Sequence, residues 1–180
     1  MAETERKVFR YKCSSCDEWH EGAPSFAFDA PHYYEMLSLE ARDQHAHLDS
    51  DFCIIDRLPD DAGADYFIRC LLEIPIRDAD EPFLWGVWSS VSEKNFRHYE
   101  ERFDKPPEPG VDYFGWFSNN LPGYPPTLSL KCRVLPQDGA RPLLDLQATD
   151  HPLSVHYHHG ISMDEALLIA EKAMHGGKDG

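Results

Sequence analysis

Basic residues are scarce in this chain. Its 180 residues carry 17 Lys and Arg against 32 Asp and Glu, a formal charge of −15 at pH 7. Phosphate binding needs clustered cations, so nucleic acid is not expected as a direct ligand. Long apolar runs are also missing. Nothing approaches the roughly 20 residues that span a bilayer, and Met1–Arg10 lacks the apolar segment of a signal peptide. A cytosolic protein without membrane contact is therefore expected. Four signatures are absent as well: the G-x-S-x-G elbow, the Walker loop, the dinucleotide fingerprint and H-E-x-x-H. Cysteine is sparse and odd in number, at 13, 16, 53, 70 and 132. A secreted disulfide framework would be denser and usually even, so reduced thiols are expected.

What is present describes a packed globular chain, 42% hydrophobic and 12% aromatic. The length suits one core with at most a small appendage. We expect a single domain over 1–180, an arm at 9–22 packing on a main body at 23–176. The acidity reads first as a solvated surface, and second as a field that would draw a basic protein partner.

Periodicity outlines the elements. Residues 1–8 are charged and should fray. Phe9 to Trp19 reads as a strand, a turn at Cys13–Cys16 and a return. From Pro31 to about His47, Tyr34, Leu37 and Ala41 keep helical spacing. Between 66 and 76, Tyr66, Ile68, Cys70, Leu72, Ile74 and Ile76 alternate onto one face. "FLWGVWSSV" is apolar on both faces and belongs inside a sheet. Ser92 caps a short helix with Phe96, Tyr99 and Phe103 on one side. After the breaker "KPPEPG", strands are expected through Leu128–Val134 and Leu144–Ala148. Ser162 and Glu165 form a capping box for a final helix that stops at Gly176-Gly177. The sum is an α+β fold: a mostly antiparallel sheet with a zinc knuckle and a helix near the N-terminus, a short middle helix and a C-terminal helix.

The most specific chemistry lies in "FRYKCSSCDEWHEG", residues 9–22. Zinc takes four ligands at tetrahedral angles, and two cysteines separated by two residues can chelate from one tight turn. Cys13 and Cys16 have that spacing, and His20 can reach back over the loop. Cys53 is the best fourth ligand, with His45 or His47 as substitutes. Cys70 and Cys132 fall on inward strand positions, where cysteine acts as a small apolar residue. Two other readings stay open: a dithiol redox pair, which the acidic "DEWHEG" disfavours, and two unrelated surface thiols.

The Cys-Ser-Ser-Cys knuckle with His20, "SDFCIID", "FIRCLLEIPI", "FLWGVWSSVSEKNF", "YFGWFSNNLPGYPPTLSLK" and "TDHPL…GIS" together resemble a bacterial family known only as a domain of unknown function. The resemblance covers about residues 9–172. It implies no reaction, substrate or partner. It does imply that Cys13, Cys16, His20 and Cys53 fall in the family's typical blocks, which strengthens the zinc reading. "SVHYHHG" departs from the family pattern, so its extra histidines are particular to this chain and a catalytic role for them is in doubt.

Two further features carry chemistry. His151, His156, His158 and His159 crowd nine residues. If that segment is a strand, His156 and His158 share a face and could bind an open metal with Asp150 or Asp164; otherwise it is a polar loop or edge strand facing solvent. His151, before Pro152, is expected to fix the loop through a side-chain hydrogen bond. The aromatics of "YFGWFSNNLPGY" are mostly core, with a minority, alongside Asn119, Asn120 and Tyr124, available as a recognition surface. Glu73, Asp78, Asp80 and Glu81 read as a solvated turn. The expected function is a non-enzymatic binding or interaction protein stapled by zinc. The alternative is a small metal-dependent hydrolase using residues 151–159.

Overall fold

The computed structural model describes residues 8–13, 16–57 and 63–175. The charged start at 1–7, Ser14-Ser15 of the knuckle and the Gly176-Gly177 stop lie outside the described residues.

The alternation at 66–76 forms the longest strand, β6 (Ala64–Ile74), with Ile76 just beyond it. Beside it lies β7 (Phe83–Val91), antiparallel, with Cys70 opposite Val87 and Leu72 opposite Trp85. Each of these strands changes partner along its length. The outer side of β6 pairs first with β5 (Phe52–Asp56), then with β10 (Ala140–Leu146) at Leu71↔Leu143. The outer side of β7 pairs first with β3 (Ser25–Ala27), then with β8 (Tyr113–Phe117). Strand β9 (Lys131–Gln137) joins β8 to β10, so β6, β7, β8, β9 and β10 close into a five-stranded barrel.

This differs from the expected mostly antiparallel sheet in two respects. The sheet closes on itself, and the β10–β6 and β3–β7 pairings are parallel. Both pairings join strands far apart in sequence, which strand-by-strand periodicity cannot register. Close approach of β8 to β7 depends on Gly115. A side-chain carbon there would overlap Ser89 Oγ and Ser90 O.

Alternate residues of the barrel strands meet in one core, among them Ile68, Leu72, Val87, Phe117, Val134 and Leu144. Helix α3 (Glu93–Glu101) adds Phe96 and Tyr99, and its first turn is capped as expected, Ser92 Oγ accepting from Asn95 N at 3.2 Å. A smaller cluster occupies the other sheet face: Cys53, Ile55, Phe67 and Trp88. Over it lie α1 (His32–Glu35), the turn after it and β4 (Ala46–Leu48), through Tyr34, Leu37, Ala46 and Leu48, with α2 (Leu39–His45) joining them. The single helix expected over 31–47 is therefore two. Ser38 Oγ accepts from Ala41 N and starts a new helix, while Arg42 donates to the carbonyls of Tyr34 and Glu35 that the break leaves over.

The histidine-rich segment is also corrected. It forms helix α4 (Pro152–His159), not a strand or loop, with Pro152 in the first turn and Gly160 beyond the end at φ 77°. The last helix, α5 (Met163–His175), begins on the expected box: Glu165 N donates to Ser162 Oγ at 3.1 Å, and Ser162 N to Glu165 Oε2 at 2.7 Å. Its stripe of Ala166, Ile169 and Ala170 is buried in the main core.

Candidate metal centre

Outside the main sheet, a two-stranded hairpin pairs β1 (Arg10–Lys12) with β2 (Trp19–Glu21). Strands this short are marginal by themselves in water, so the hairpin needs further support. Part of it comes from Phe9 and Tyr11, which are buried against the main core. Tyr11 also faces His20 across the hairpin, the rings stacked at 5.1 Å. At the tip, Cys13 N donates to Glu18 O at 2.9 Å and Asp17 N to Cys13 O at 3.0 Å, while Asp17 adopts a left-handed φ of 58°. This tight turn points two thiols and an imidazole at one place.

Ligating atoms of Cys13, Cys16 and His20 all lie within 4.8 Å of one another, close enough to hold a metal ion. No other set of three such side chains among the described residues does so. Cys16 Sγ is 3.4 Å from His20 Nε2. Zinc bound through sulfur and nitrogen at ordinary lengths sets such ligands about 3.6 Å apart at tetrahedral angles, so the donor set and the spacing both fit. Cys13 is fully buried, Cys16 exposed and His20 half-buried. Burial raises the pKa of the Tyr11 hydroxyl, and the neighbouring Cys13, Cys16 and Glu171 raise it further.

Cys53, expected as the fourth ligand, is not brought to this group. Along β5, Phe52 and Ile54 pack on the main core that holds Cys13, while Cys53 and Ile55 face the opposite cluster with Phe67 and Trp88. A one-residue offset on a strand decides the face, and it turns this thiol away. The suggested substitutes also lie elsewhere: His47 pairs with Asp49 at 3.5 Å, and His45 ends α2. Cys70 and Cys132 sit in the main core as expected. Sequence reading missed His175. Its Nε2 lies 3.3 Å from Cys13 Sγ, 162 residues away along the chain, and no local pattern signals that approach.

Three histidines at α4, His151, His156 and His158, are engaged in holding the fold. His151 Nδ1 accepts from Leu153 N at 3.1 Å as the helix cap, the loop-fixing role expected of it, and its Nε2 reaches Pro126 O at 3.1 Å. His156 Nδ1 lies 3.0 Å from Tyr124 Oη, and its Nε2 3.9 Å from Glu165. His158 Nε2 donates to Leu146 O at 2.8 Å. On a helix, residues two apart diverge by about 200°, so His156 and His158 do not share a face. His159 is exposed.

Beside α4 opens a cleft of about 460 Å³, lined in part by Glu73, Asp80, Glu81, Asp145, Tyr157 and His158. Tyr157 Oη donates to Asp145 at 3.1 Å, and burial with the neighbouring Asp145 pushes its pKa up to about 12. A second depression, reaching Phe114 and Arg133, shares Asp145 and His158 with the first. On β8, Phe114 and Trp116 are exposed and meet edge-on at 5.2 Å, whereas Tyr113 and Phe117, and Asn119 just beyond the strand, are buried. Asn119 belongs to the scaffold: its Oδ1 accepts from Trp88 N and its Nδ2 donates to Ala30 O. No helix among the described residues is long and apolar enough to cross a membrane.

Comparison with known proteins yields one finding. The profile of a family described as uncharacterized protein conserved in bacteria (DUF2199) matches residues 12–161, a span that includes Cys13, Cys16, His20 and Cys53. No curated protein and no solved structure matches the chain. With five-sixths of its length in the match, the chain belongs to this family of uncharacterised bacterial proteins.

Proposed function

We propose that the chain is a cytosolic, non-enzymatic interaction protein, folded as one domain, whose N-terminal hairpin is held in place by a structural zinc ion. The convergence of Cys13, Cys16 and His20 within 4.8 Å carries this reading. A hairpin with so little apolar surface gains from a metal that replaces the missing core, since metal binding to such a segment is folding free energy. The working surface is the exposed Phe114–Trp116 pair and the acidic cleft that adjoins it through Asp145. Carboxylates at Glu73, Asp80, Glu81 and Asp145 suit a lysine or arginine of a basic protein partner, in keeping with the charge of −15. The hydrolase alternative loses ground because His151, His156 and His158 each have hydrogen-bonding partners within the fold.

Metal analysis of protein purified without a histidine tag tests the reading. One equivalent of zinc is expected in the wild type and in Cys53→Ser, and none in Cys16→Ser or His20→Ala. Wild-type protein without zinc, or equal zinc in all four proteins, would overturn it.

A further inference from the structure

We infer that His175 is the fourth ligand of this centre, so that one zinc ion ties the end of the C-terminal helix to the N-terminal hairpin. The inference rests on the knuckle binding zinc and goes beyond it, because three ligands alone leave an open position on the metal. Structural zinc sites are closed by four protein ligands. The structure supplies two thiol–imidazole approaches of nearly the same length: Cys16 Sγ to His20 Nε2 at 3.4 Å and Cys13 Sγ to His175 Nε2 at 3.3 Å. Both are close to the edge of a zinc tetrahedron, about 3.6 Å between a sulfur and a nitrogen ligand. His175 stands beside Cys13 and outside the 4.8 Å group, so its imidazole completes the tetrahedron by swinging toward Cys16 and His20.

The placement of His175 is built from the other end of its helix. The Ser162–Glu165 box fixes where α5 begins, and Ala166, Ile169 and Ala170 set its rotation by entering the main core. Its last turn is then moored to the hairpin, with Tyr11 Oη donating to Met174 Sδ at 3.8 Å. The next residue is His175. Tyr11 thus joins both halves of the site: it stacks on His20 and contacts the residue preceding His175. Cys13, Cys16 and His20 lie within the family match, whereas α5 lies beyond it, so this fourth position is assigned by the geometry of the present chain.

The consequence is conditional docking of α5. With zinc bound, the end of the helix is anchored to the hairpin by coordination. Without it, the hairpin and the helix keep weaker links, among them the Cys13–His175 approach, the thioether contact and the apolar stripe.

Chelator competition measures zinc affinity in wild type, Cys16→Ser and His175→Ala, and amide exchange follows residues 166–175 with and without zinc. His175→Ala should weaken zinc by more than about 100-fold, beyond what loss of an outer contact to a metal ligand costs. Zinc should slow exchange at the end of α5 in the wild type and not in the variant. In cobalt-loaded His175→Cys, thiolate-to-metal charge transfer should grow in proportion to three thiolates in place of two. Wild-type affinity in His175→Ala, with zinc lost in Cys16→Ser, would remove His175 and leave the three-ligand knuckle standing. Unchanged charge transfer in His175→Cys would likewise remove it. If the wild type takes up no zinc at all, both readings fall and the two approaches are thiol–imidazole hydrogen bonds.

Discussion

Cysteine occurs here in two contrasting settings. Cys13 and Cys16 stand on a tight turn, each within 3.4 Å of an imidazole nitrogen. Cys53, Cys70 and Cys132 stand on strands of the sheet, buried among apolar side chains. In the second setting burial dominates. It pushes the Cys53 and Cys132 thiols up to about 12 and raises Cys70 well above the ordinary range. A thiol kept protonated in this way is a filler with weak hydrogen bonds, such as those from Cys70 to Ile68 O and between Cys132 and Ser89 Oγ. One residue type stands as proposed ligand or as filler according to whether its turn or strand position presents it to nitrogen or to carbon.

The contrast can be broken most forcefully by withholding the proposed zinc. Zinc held at a thousand times its Kd stabilises the folded state by about 4 kcal/mol. For a chain of this size that is roughly 8–16 °C in Tm. Calorimetry with and without a tight chelator should show a fall of that order in the wild type and no chelator effect in Cys16→Ser. An unchanged wild-type Tm would merge the two classes of thiol. A smaller loss is expected from Cys70→Ser, which puts a hydroxyl among apolar neighbours at a cost of about 1–2 kcal/mol. Its zinc content should equal that of wild type, and a loss of metal there would undo the distinction from the other side.

The smallest effect is a pH dependence. Unfolded cysteine ionises near pH 8.5, whereas Cys53 and Cys132 hold their protons to about 12 in the fold. The folded chain therefore binds more protons above pH 8.5. This contribution to stability is complete below that pH and fades as pH climbs toward 12. Urea midpoints should decline between pH 8.5 and 10.5, and the decline should be shallower in a Cys53→Ala, Cys132→Ala double variant. The buried tyrosines Tyr99 and Tyr124, also raised by burial, act with the same sign and leave a residual slope in that variant.

Local chemistry was readable from the chain, and long-range proximity was not. The alternation of β6, the Ser92 cap and the Ser162–Glu165 box each depend on residues a few positions apart, and each stands where it was expected. The knuckle belongs to the same class, because Cys13, Cys16 and His20 are joined by one turn. What escaped depends on distant partners. Cys53 faces Phe67 and Trp88, while its neighbour Phe52 meets Phe96 and Phe103, and a strand's alternation does not say which distant element each face will meet. His175 reaches Cys13 only because α5 docks in a particular rotation. Helix α4 escaped for a local reason: "SVHYHH" has no apolar stripe at helical spacing, and only Leu153 and Ser154 are buried. Its signals were the proline at its start and the glycine at its end.

The parallel seam between β10 and β6 has a consequence for how the chain is made. Half of β6 waits for a strand that is translated some seventy residues later. A chain released by the ribosome before Ala140 would carry an unmatched ladder of backbone donors and acceptors beside Leu71, a template for pairing with a second copy. Joining the seam is a late step with a large loop to close, which makes it the natural bottleneck of folding and the stage at which a chaperone would matter most.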